Sequence, residues 1–145
     1  MEIRKIKKEE LEKAIDLVWK VFLKFESPDY SNEGIEEFKK SINDSNFIND
    51  LEIYGAFLES KILGIIATRN KNHIALYFVD ELYQGQGIGK KLYNKVSSLN
   101  PDNYFTVNAS PYAKKIYEHM GFQLVEELQE VNGIKFYPMK GKRNE

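Results

Sequence analysis

Three glycines at alternate positions, Gly85, Gly87 and Gly89, limit what this 145-residue chain can fold into more than any other feature. They lie between a run of apolar residues at 74–79 and a segment whose apolar residues have helical spacing, which predicts a strand, a tight loop and a helix start. Glycine lets backbone N–H groups approach a ligand closely, and a helix N-terminus adds unpaired donors and a partial positive charge. The loop therefore predicts a ligand that carries phosphates, such as a pyrophosphate-containing cofactor.

The spacing around this loop disfavours two other kinds of nucleotide-binding loop. A P-loop needs Ser or Thr after its lysine to bind magnesium, but Lys90 is followed by Lys91, so ATP hydrolysis is not expected. A dinucleotide-binding loop needs Gly or Ala where this chain has Lys90, and no acidic residue closes a following strand about twenty residues later. A turn that binds no ligand is the remaining alternative.

Two segments in the second half of the chain together resemble the GCN5-related N-acetyltransferase (GNAT) family. Residues 84–89, Gln-Gly-Gln-Gly-Ile-Gly, match the central motif of that family, in which Gln or Arg precedes spaced glycines. Residues 113–122 resemble its second motif, an Ala, then an apolar residue with Tyr, then Gly-Phe. The chain departs from the common pattern at Glu81, where many members have Pro, and at Ser110, where many have Asn. The resemblance covers most of residues 1–140.

The resemblance implies a fold as well as a function. It implies a single N-acetyltransferase domain over residues 1–145, of α/β (α+β) class. The expected architecture is a mixed, mostly antiparallel twisted sheet of about six to seven strands flanked by about four helices. The hydrophobic content of 42% is typical of a globular domain with its own core.

The periodicity of apolar residues predicts the same alternation of elements. A strand at 2–6 precedes an amphipathic helix from Lys8 to about Phe25, and Ser31 or Asn32 is expected to cap a second, shorter helix. Further strands are predicted at 51–59, 62–69, 73–79 and 104–108, and the last two are expected to be parallel and joined by a crossover through a helix at 88–100. A later helix is predicted at 110–121, with Ser110 as its N-cap. The chain is expected to end in a hairpin that pairs 122–128 with 134–139 around Asn132-Gly133.

Composition narrows the function classes. A formal net charge of -1 and a pI near 6.2 give no field that would attract nucleic acid or an anionic membrane. The absence of Cys excludes disulfides, thiolate metal sites and a cysteine nucleophile, and the two histidines, His73 and His119, lack metal-ligand spacing, so no metal is predicted. Without a signal-peptide core or an apolar run of about eighteen residues, a cytoplasmic protein is expected.

The resemblance assigns roles to individual residues. It implies acetyl-CoA as the acetyl donor, with the pantetheine along residues 77–79 by backbone pairing and the pyrophosphate on the N–H groups of residues 84–90. Tyr117 would be the general acid that protonates the leaving thiolate. The residues expected at the cofactor are Tyr77, Phe78, Val79, Gln84, Gly85, Gln86, Gly87, Ile88, Gly89, Lys90, Asn108 and Ser110.

Spacing alone gives Tyr117 a second interpretation. It lies on one helical stripe with Ala113, Ile116 and Met120, which predicts a core aromatic. The motif and the need for a proton donor favour catalysis, because transfer from a phenol of pKa near 10 to a thiolate near 8.5 is uphill by only about 2 kcal/mol. Tyr112, expected in the first turn of the same helix, is the alternative donor.

The sequence leaves the general base open. An alkylamine with a pKa near 10.4 costs roughly 4 to 5 kcal/mol to deprotonate at pH 7, so a base, a water chain or a desolvating pocket must help. Glu52, Asp80, Glu81 and His73 are the candidates, each of which could act through water. The sequence favours a solvated strand end before a loop for Asp80 and Glu81, and an outward strand position for Glu52.

Residues 26–52, where such proteins build the acceptor pocket, are rich in acidic side chains, with only Lys39 and Lys40 as cations. The acidic residues are Glu26, Asp29, Glu33, Glu36, Glu37, Asp44, Asp50 and Glu52. An acidic rim would attract a cationic acceptor, although a solvated helical face explains the same charges. Tyr30, Phe47 and Tyr54 would line that pocket or fill the core.

Two functions remain open at the level of sequence. The first is an acetyl-CoA-dependent N-acetyltransferase that acts on a primary amine of a small molecule or peptide by direct transfer. The second is a non-catalytic acyl-CoA-binding module used for sensing or docking. Neither nucleic acid nor a membrane is expected as a partner, and a monomer or homodimer is expected.

Overall fold

Eight strands and five α-helices make up the computed structural model, which describes residues 1–144. The strands are β1 (Glu2–Lys5), β2 (Leu51–Leu58), β3 (Lys61–Arg69), β4 (His73–Val79), β5 (Tyr104–Ala109), β6 (Gln123–Leu124), β7 (Gln129–Val131) and β8 (Ile134–Lys142). The helices are α1 (Leu11–Phe25), α2 (Asn32–Ile42), α3 (Ser45–Asn49), α4 (Ile88–Leu99) and α5 (Lys114–His119). Short 3-10 turns occupy Lys8–Glu10, Ser27–Asp29 and Glu81–Tyr83.

The strands form one mixed sheet with the order β1-β2-β3-β4-β5-β8-β6, and β7 also pairs with β8. All neighbours are antiparallel except β4 and β5, which are parallel. This confirms the predicted fold class and the predicted crossover through α4. The strand number is slightly higher than expected because two short strands, β6 and β7, pair with β8.

The prediction of one continuous strand over 122–128 was wrong. β6 pairs with β8 at Met139 and Lys140, and β7 pairs with it only at residues 134–136. Pro138 lies between the two pairings; its carbonyl accepts a hydrogen bond from Val125 N–H at 2.8 Å, but it has no N–H to return. The ladder is therefore interrupted, although the Asn132-Gly133 turn lies where it was predicted.

The helices also differ from the prediction in three respects. α1 begins at Leu11 rather than near Lys8, because the 3-10 turn before it is held by the Glu10 side chain, which accepts from Lys7 N–H at 2.9 Å. α3 was not predicted. α5 begins at Lys114, although Ser110 Oγ does cap the preceding turn by accepting from Ala113 N–H at 3.1 Å. Ser31 caps α2 as expected.

The hydrophobic core lies on both faces of the sheet. On one face, α1, α2 and α3 pack through residues such as Phe22 and Ile42 against Phe57. On the other face, α4 and α5 pack through Leu92 and Tyr117. Tyr54, which was expected to line a pocket or fill the core, belongs to this second core cluster. None of the helices in residues 1–144 combines the length and apolar character needed to cross a bilayer.

The feature that positions the site is the short pairing of β4 with β5. These parallel strands are in register at only two pairs, His73 with Thr106 and Ile74 with Val107. Beyond Ile74, β4 and β5 do not pair with each other. The sheet therefore contains a gap between β4 and β5 on the side of the glycine loop and the start of α5.

Candidate active site

Two cavities open at the gap between β4 and β5. The loop-side cavity, about 240 Å³, is bordered by the end of β4, Gln84 and Gly89. The α2-side cavity, about 310 Å³, is bordered by α2 and the β7–β8 hairpin. Both are lined by Glu26, Tyr77, Phe78, Ala113 and Tyr117, so they meet at these residues. The gap can therefore hold two ligands that touch at one place.

The glycine loop offers an anion site at the entrance of the loop-side cavity. Gly85 and Gly87 have φ values of 78° and 83°, and Gly87 is the N-cap of α4. Within residues 1–144, the backbone N–H groups of residues 85–90 donate to no protein group, and the first hydrogen bond of the helix runs from Lys91 N–H to the Gly87 carbonyl at 3.1 Å. These free donors at a helix N-terminus fit the pyrophosphate of a cofactor such as CoA.

Two side chains expected at the cofactor hold the loop in place. Gln84 Nε2 donates to the Val79 carbonyl at 3.0 Å, and the Tyr77 hydroxyl donates to the Gly89 carbonyl. Burial, and next the proximity of Tyr93, raises the pKa of Tyr77, so its hydroxyl stays protonated and remains a donor. These two hydrogen bonds fix the loop against β4, so the N–H groups of the loop point in a set direction.

Tyr117 satisfies both sequence-based interpretations at once. It is 6% exposed, and its ring packs in the core with ring centroids 5.3 Å from Phe122 and 6.2 Å from Tyr77. It also lines both cavities. Burial raises its pKa well above the ordinary tyrosine value, with Tyr77, Glu26 and Tyr93 adding to the shift, so the phenol is protonated near neutral pH. Tyr112 is 40% exposed and lines only the loop-side cavity.

The other predicted cofactor residues are divided between the two cavities and the loop. Asn108 and Ser110 line the α2-side cavity, and the Ser110 hydroxyl is already used as a cap. Val79 lines the loop-side cavity. The Ile88 side chain is buried in the core, which leaves its N–H as the group that faces the loop. Lys90 lines a separate cavity between α4 and α5, whereas Gln86 and the glycines form the exposed loop itself.

Sequence reasoning missed the role of Glu26 at this site. It directly follows α1 and its half-buried side chain lines both cavities. Burial raises the pKa of Glu26 to about 7; Asp29 raises it further, and the neighbouring Ser110 hydroxyl acts in the opposite direction. In the sequence, Glu26 was one of eight acidic residues in its region, and no spacing distinguished it from the others.

Comparison with known families decides the family of this fold. A family model described as an acetyltransferase (GNAT) domain matches residues 26–143. The chain belongs to the GNAT family. The match confirms the resemblance carried by the glycine loop and the Tyr117 segment. No protein among curated sequences matches the chain.

Solved structures of GNAT proteins share the fold. A GCN5-related N-acetyltransferase from Rhodopseudomonas palustris has a TM-score of 0.83 and 18% identity, covering 97% of this chain and 94% of that one. PaiA N-acetyltransferase from Thermoplasma acidophilum, solved with coenzyme A, has a TM-score of 0.79 and 21% identity, covering 97% and 98%. An aminoglycoside 6'-N-acetyltransferase, also complexed with coenzyme A, has a TM-score of 0.66 and 13% identity, covering 100% and 98%. At these identities the likeness shows the GNAT fold alone.

The predicted general bases lie outside both cavities of this GNAT fold. Glu52 is paired with Lys71 at 2.9 Å, and Asp80 caps the next turn. Glu81 is paired with Lys24 at 2.6 Å. The other candidate, the imidazole that opens β4, has its pKa lowered to about 4 by burial and next by a neighbouring arginine. The structure therefore brings neither His73 nor the three acids to Tyr117.

The acidic segment contributes two carboxylates to the α2-side cavity, those of Glu26 and Glu37. Tyr30 and Phe47 line the same cavity, as expected of pocket residues. The remaining acidic residues of the segment do not line either cavity. Within residues 1–144, no group of three or more His, Asp or Glu residues has the geometry of a metal site.

Proposed function

We propose that this GNAT protein is an acetyl-CoA-dependent N-acetyltransferase that moves an acetyl group to a primary amine of a small molecule or peptide by direct transfer. The observation that supports this most is that two cavities meet at Glu26 and Tyr117, one of them beside the glycine loop. Direct transfer needs both substrates at once with the reacting atoms in contact. In this proposal, residues 1–145 act as one domain.

The loop-side cavity is proposed to bind acetyl-CoA. The N–H groups of residues 85–90 would receive the pyrophosphate, whereas the Gln84 N–H, also expected there, already donates to the Glu81 carbonyl at 3.4 Å. The pantetheine would lie along residues 77–79, where β4 has no strand partner on the side of β5. The solved GNAT proteins that contain coenzyme A support this choice of ligand. Bound there, acetyl-CoA would supply an activated thioester beside the residues that the two cavities share.

Tyr117 is proposed as the group that assists departure of the thiolate. The amine nitrogen attacks the thioester carbon, a C–N bond forms, the C–S bond breaks, and the sulfur gains a proton. Because burial raises the pKa of Tyr117, full proton transfer costs more than the roughly 2 kcal/mol expected for an ordinary phenol. Tyr117 therefore acts chiefly by donating a hydrogen bond to the sulfur as negative charge develops there.

The experiment that tests this function measures free thiol released from acetyl-CoA in the presence of a panel of amines, with wild-type protein and with Tyr117→Phe. Amine-dependent thiol release together with detection of the acetylated amine supports an enzyme. Binding of acetyl-CoA without any release would favour the alternative, a non-catalytic acyl-CoA-binding module. A cytoplasmic location and a monomeric or homodimeric state are part of the same proposal.

A further inference from the structure

The lining of the α2-side cavity is mostly apolar, and its charged groups are all negative. Its walls are largely apolar and aromatic, with Tyr30, Phe38, Phe47 and Phe136 among them. Its charged side chains are the carboxylates of two glutamates, and among the described residues that line it there is no Lys, Arg or His. An apolar cavity with negative charge and no positive charge favours a cationic ligand with an apolar body.

Glu26 is the carboxylate at the place where a reacting amine would have to lie. It lines the cavity on each side of the gap and therefore borders both the expected thioester and the expected acceptor. Within residues 1–144 it forms no ion pair with a cationic side chain. A half-buried carboxylate without a cation is poorly solvated, and an ammonium group is the natural partner for it.

We propose that Glu26 receives the ammonium group of the acceptor and takes its proton, and that the α2-side cavity selects an amine with an apolar body and no carboxylate. This inference rests on the proposed acetyltransferase function. It assigns a general base to the site, whereas the candidates from the sequence lie outside both cavities. Those candidates are Glu52, Asp80, Glu81 and His73.

The proton balance of the step is complete. R–NH3⁺ gives one proton to the Glu26 carboxylate and becomes R–NH2, whose lone pair forms the C–N bond as the C–S bond breaks. The nitrogen then loses a second proton, which reaches the sulfur through the Tyr117 hydroxyl or a water. Glu26 releases its proton to solvent after the products leave, so the net products are the amide, CoA–SH and one proton.

The groups that face Glu26 set the pH at which it can act. Asp29 and Tyr30 follow it in the chain, Ser110 approaches from the end of β5, and Tyr117 approaches from α5. Tyr112 also interacts with it. None of these groups is a cation, and burial holds the pKa of Glu26 at about 7. The catalytically active carboxylate therefore becomes more abundant as the pH rises through about 7.

The first arm of the test compares pH–rate profiles of wild type and Glu26→Gln with hexylamine and acetyl-CoA. The wild-type kcat/KM is expected to level off above pH of about 7. Glu26→Gln is expected to lose a factor of about 10² to 10⁴ at pH 7 and to regain about tenfold per pH unit, as more of the amine becomes neutral. Glu26→Asp should restore the plateau in part, and Glu36→Gln, an exposed residue of α2, is the matched control.

The second arm uses wild-type protein alone and two matched pairs of amines. Hexylamine is compared with 6-aminohexanoate, and 2-phenylethylamine with phenylalanine, each pair differing by one carboxylate. The member of each pair that has a carboxylate is expected to have a kcat/KM at least about tenfold lower, because its negative charge is repelled by the carboxylates of the cavity. Equal rates within the pairs, or no reaction of either apolar amine, would overturn the selectivity.

Failure of the inference can be told apart from failure of the function. If calorimetry shows that wild type binds acetyl-CoA and amines are acetylated, but Glu26→Gln keeps the wild-type pH profile, then Glu26 is not the base and the inference alone is wrong. If wild type acetylates no amine at all, the proposed function and this inference are wrong together. Circular dichroism of the Glu26 variants checks that each is folded.

Discussion

The carbonyl of Gly133 in the β7–β8 turn lies against Gly34 of α2 so closely that a Cβ on Gly34 would overlap it. The N–H of Gly34 is also bound by the cap of its own helix, Ser31 Oγ, at 3.2 Å. Both α2 and the β7–β8 hairpin line the α2-side cavity. This contact between two glycines therefore sets the width of the cavity proposed for the acceptor.

Gly34→Ala should separate α2 from the hairpin. Overpacking of a tight contact typically costs about 1 to 3 kcal/mol, so the free energy of unfolding should fall by that amount in urea denaturation. The KM for the acceptor should rise, whereas the affinity for acetyl-CoA, measured by calorimetry, should stay the same. Glu33→Ala, an exposed change in the same turn, is the control and should change the stability by less than about 0.5 kcal/mol.

Gly87→Val should weaken acetyl-CoA binding by about tenfold or more, because residues with a branched Cβ rarely adopt the φ of 83° that orients the N–H groups of the loop. Apart from the two neighbouring residues in the chain, no atom of residues 1–144 lies within 4 Å of the position of this Cβ, so the effect comes from backbone geometry rather than from a clash. Calorimetry and the shift of the melting temperature with acetyl-CoA measure it.

The matched control is Gly121→Val. Gly121 has a φ of 94°, and within residues 1–144 its Cβ position likewise has no atom within 4 Å other than those of its chain neighbours, but it lies outside both cavities. The Gly121→Val variant should lose about 1 to 3 kcal/mol of folding free energy, as Gly87→Val does, and should still bind acetyl-CoA. Equal loss of binding in both variants would mean that global destabilisation, and not the loop, explains the effect.

Tyr117→Phe should lower kcat by a factor of about 10² to 10³ with little change in the KM for acetyl-CoA, because in the proposed mechanism the hydroxyl donates to the leaving sulfur and does not contribute to ground-state binding. Tyr93→Phe is the control. It removes another tyrosine hydroxyl, which donates to the Lys142 carbonyl at 2.9 Å, and Tyr93 lines neither the loop-side nor the α2-side cavity. Unchanged turnover in Tyr117→Phe across pH 6 to 9 would remove this residue from the mechanism and leave Tyr112 or water as the proton donor.

Glu26→Gln should stabilise the fold at high pH. The pKa of Glu26 is raised from its ordinary value to about 7, so the folded protein binds this proton more tightly than the unfolded chain. The wild type therefore loses stability as the pH rises from about 4.5 through 7, on the order of 2 to 3 kcal/mol, and Gln avoids this loss. Urea denaturation at several pH values should give equal stabilities near pH 4 and a more stable variant at pH 8.

The elements that were predicted best are those with strong local signals at both ends. β4 has the predicted bounds because its apolar run begins after the turn at Asn70 and Lys71, two residues with positive φ, and ends before the glycine loop. The turn at Asn132-Gly133 was placed correctly for the same reason, because both residues have positive φ. The strand predicted over 122–128 was not placed correctly, because Pro138 of β8 interrupts the pairing. The sequence of one segment does not show which residues of another strand it will pair with.

The candidate site divides in the same way between local and tertiary information. The glycine loop and the Tyr117 segment carry recognisable local patterns, so sequence analysis could name them. Glu26 reaches the cavities only because α1 ends beside the gap in the sheet. Its raised pKa depends on burial by segments distant in the chain, and no spacing rule records such burial.

The two register pairs that join β4 to β5 also have a consequence for the lifetime of the protein. The first four strands and the last four meet along this seam, where so short a pairing favours local opening. A ligand that lies along β4 would bridge the seam and slow that opening, in proportion to its concentration. We therefore expect backbone amides of β4 and β5 to exchange with deuterium more slowly when acetyl-CoA is present. We also expect proteases to cleave this protein faster in a cell with little acetyl-CoA than in a cell where acetyl-CoA is abundant.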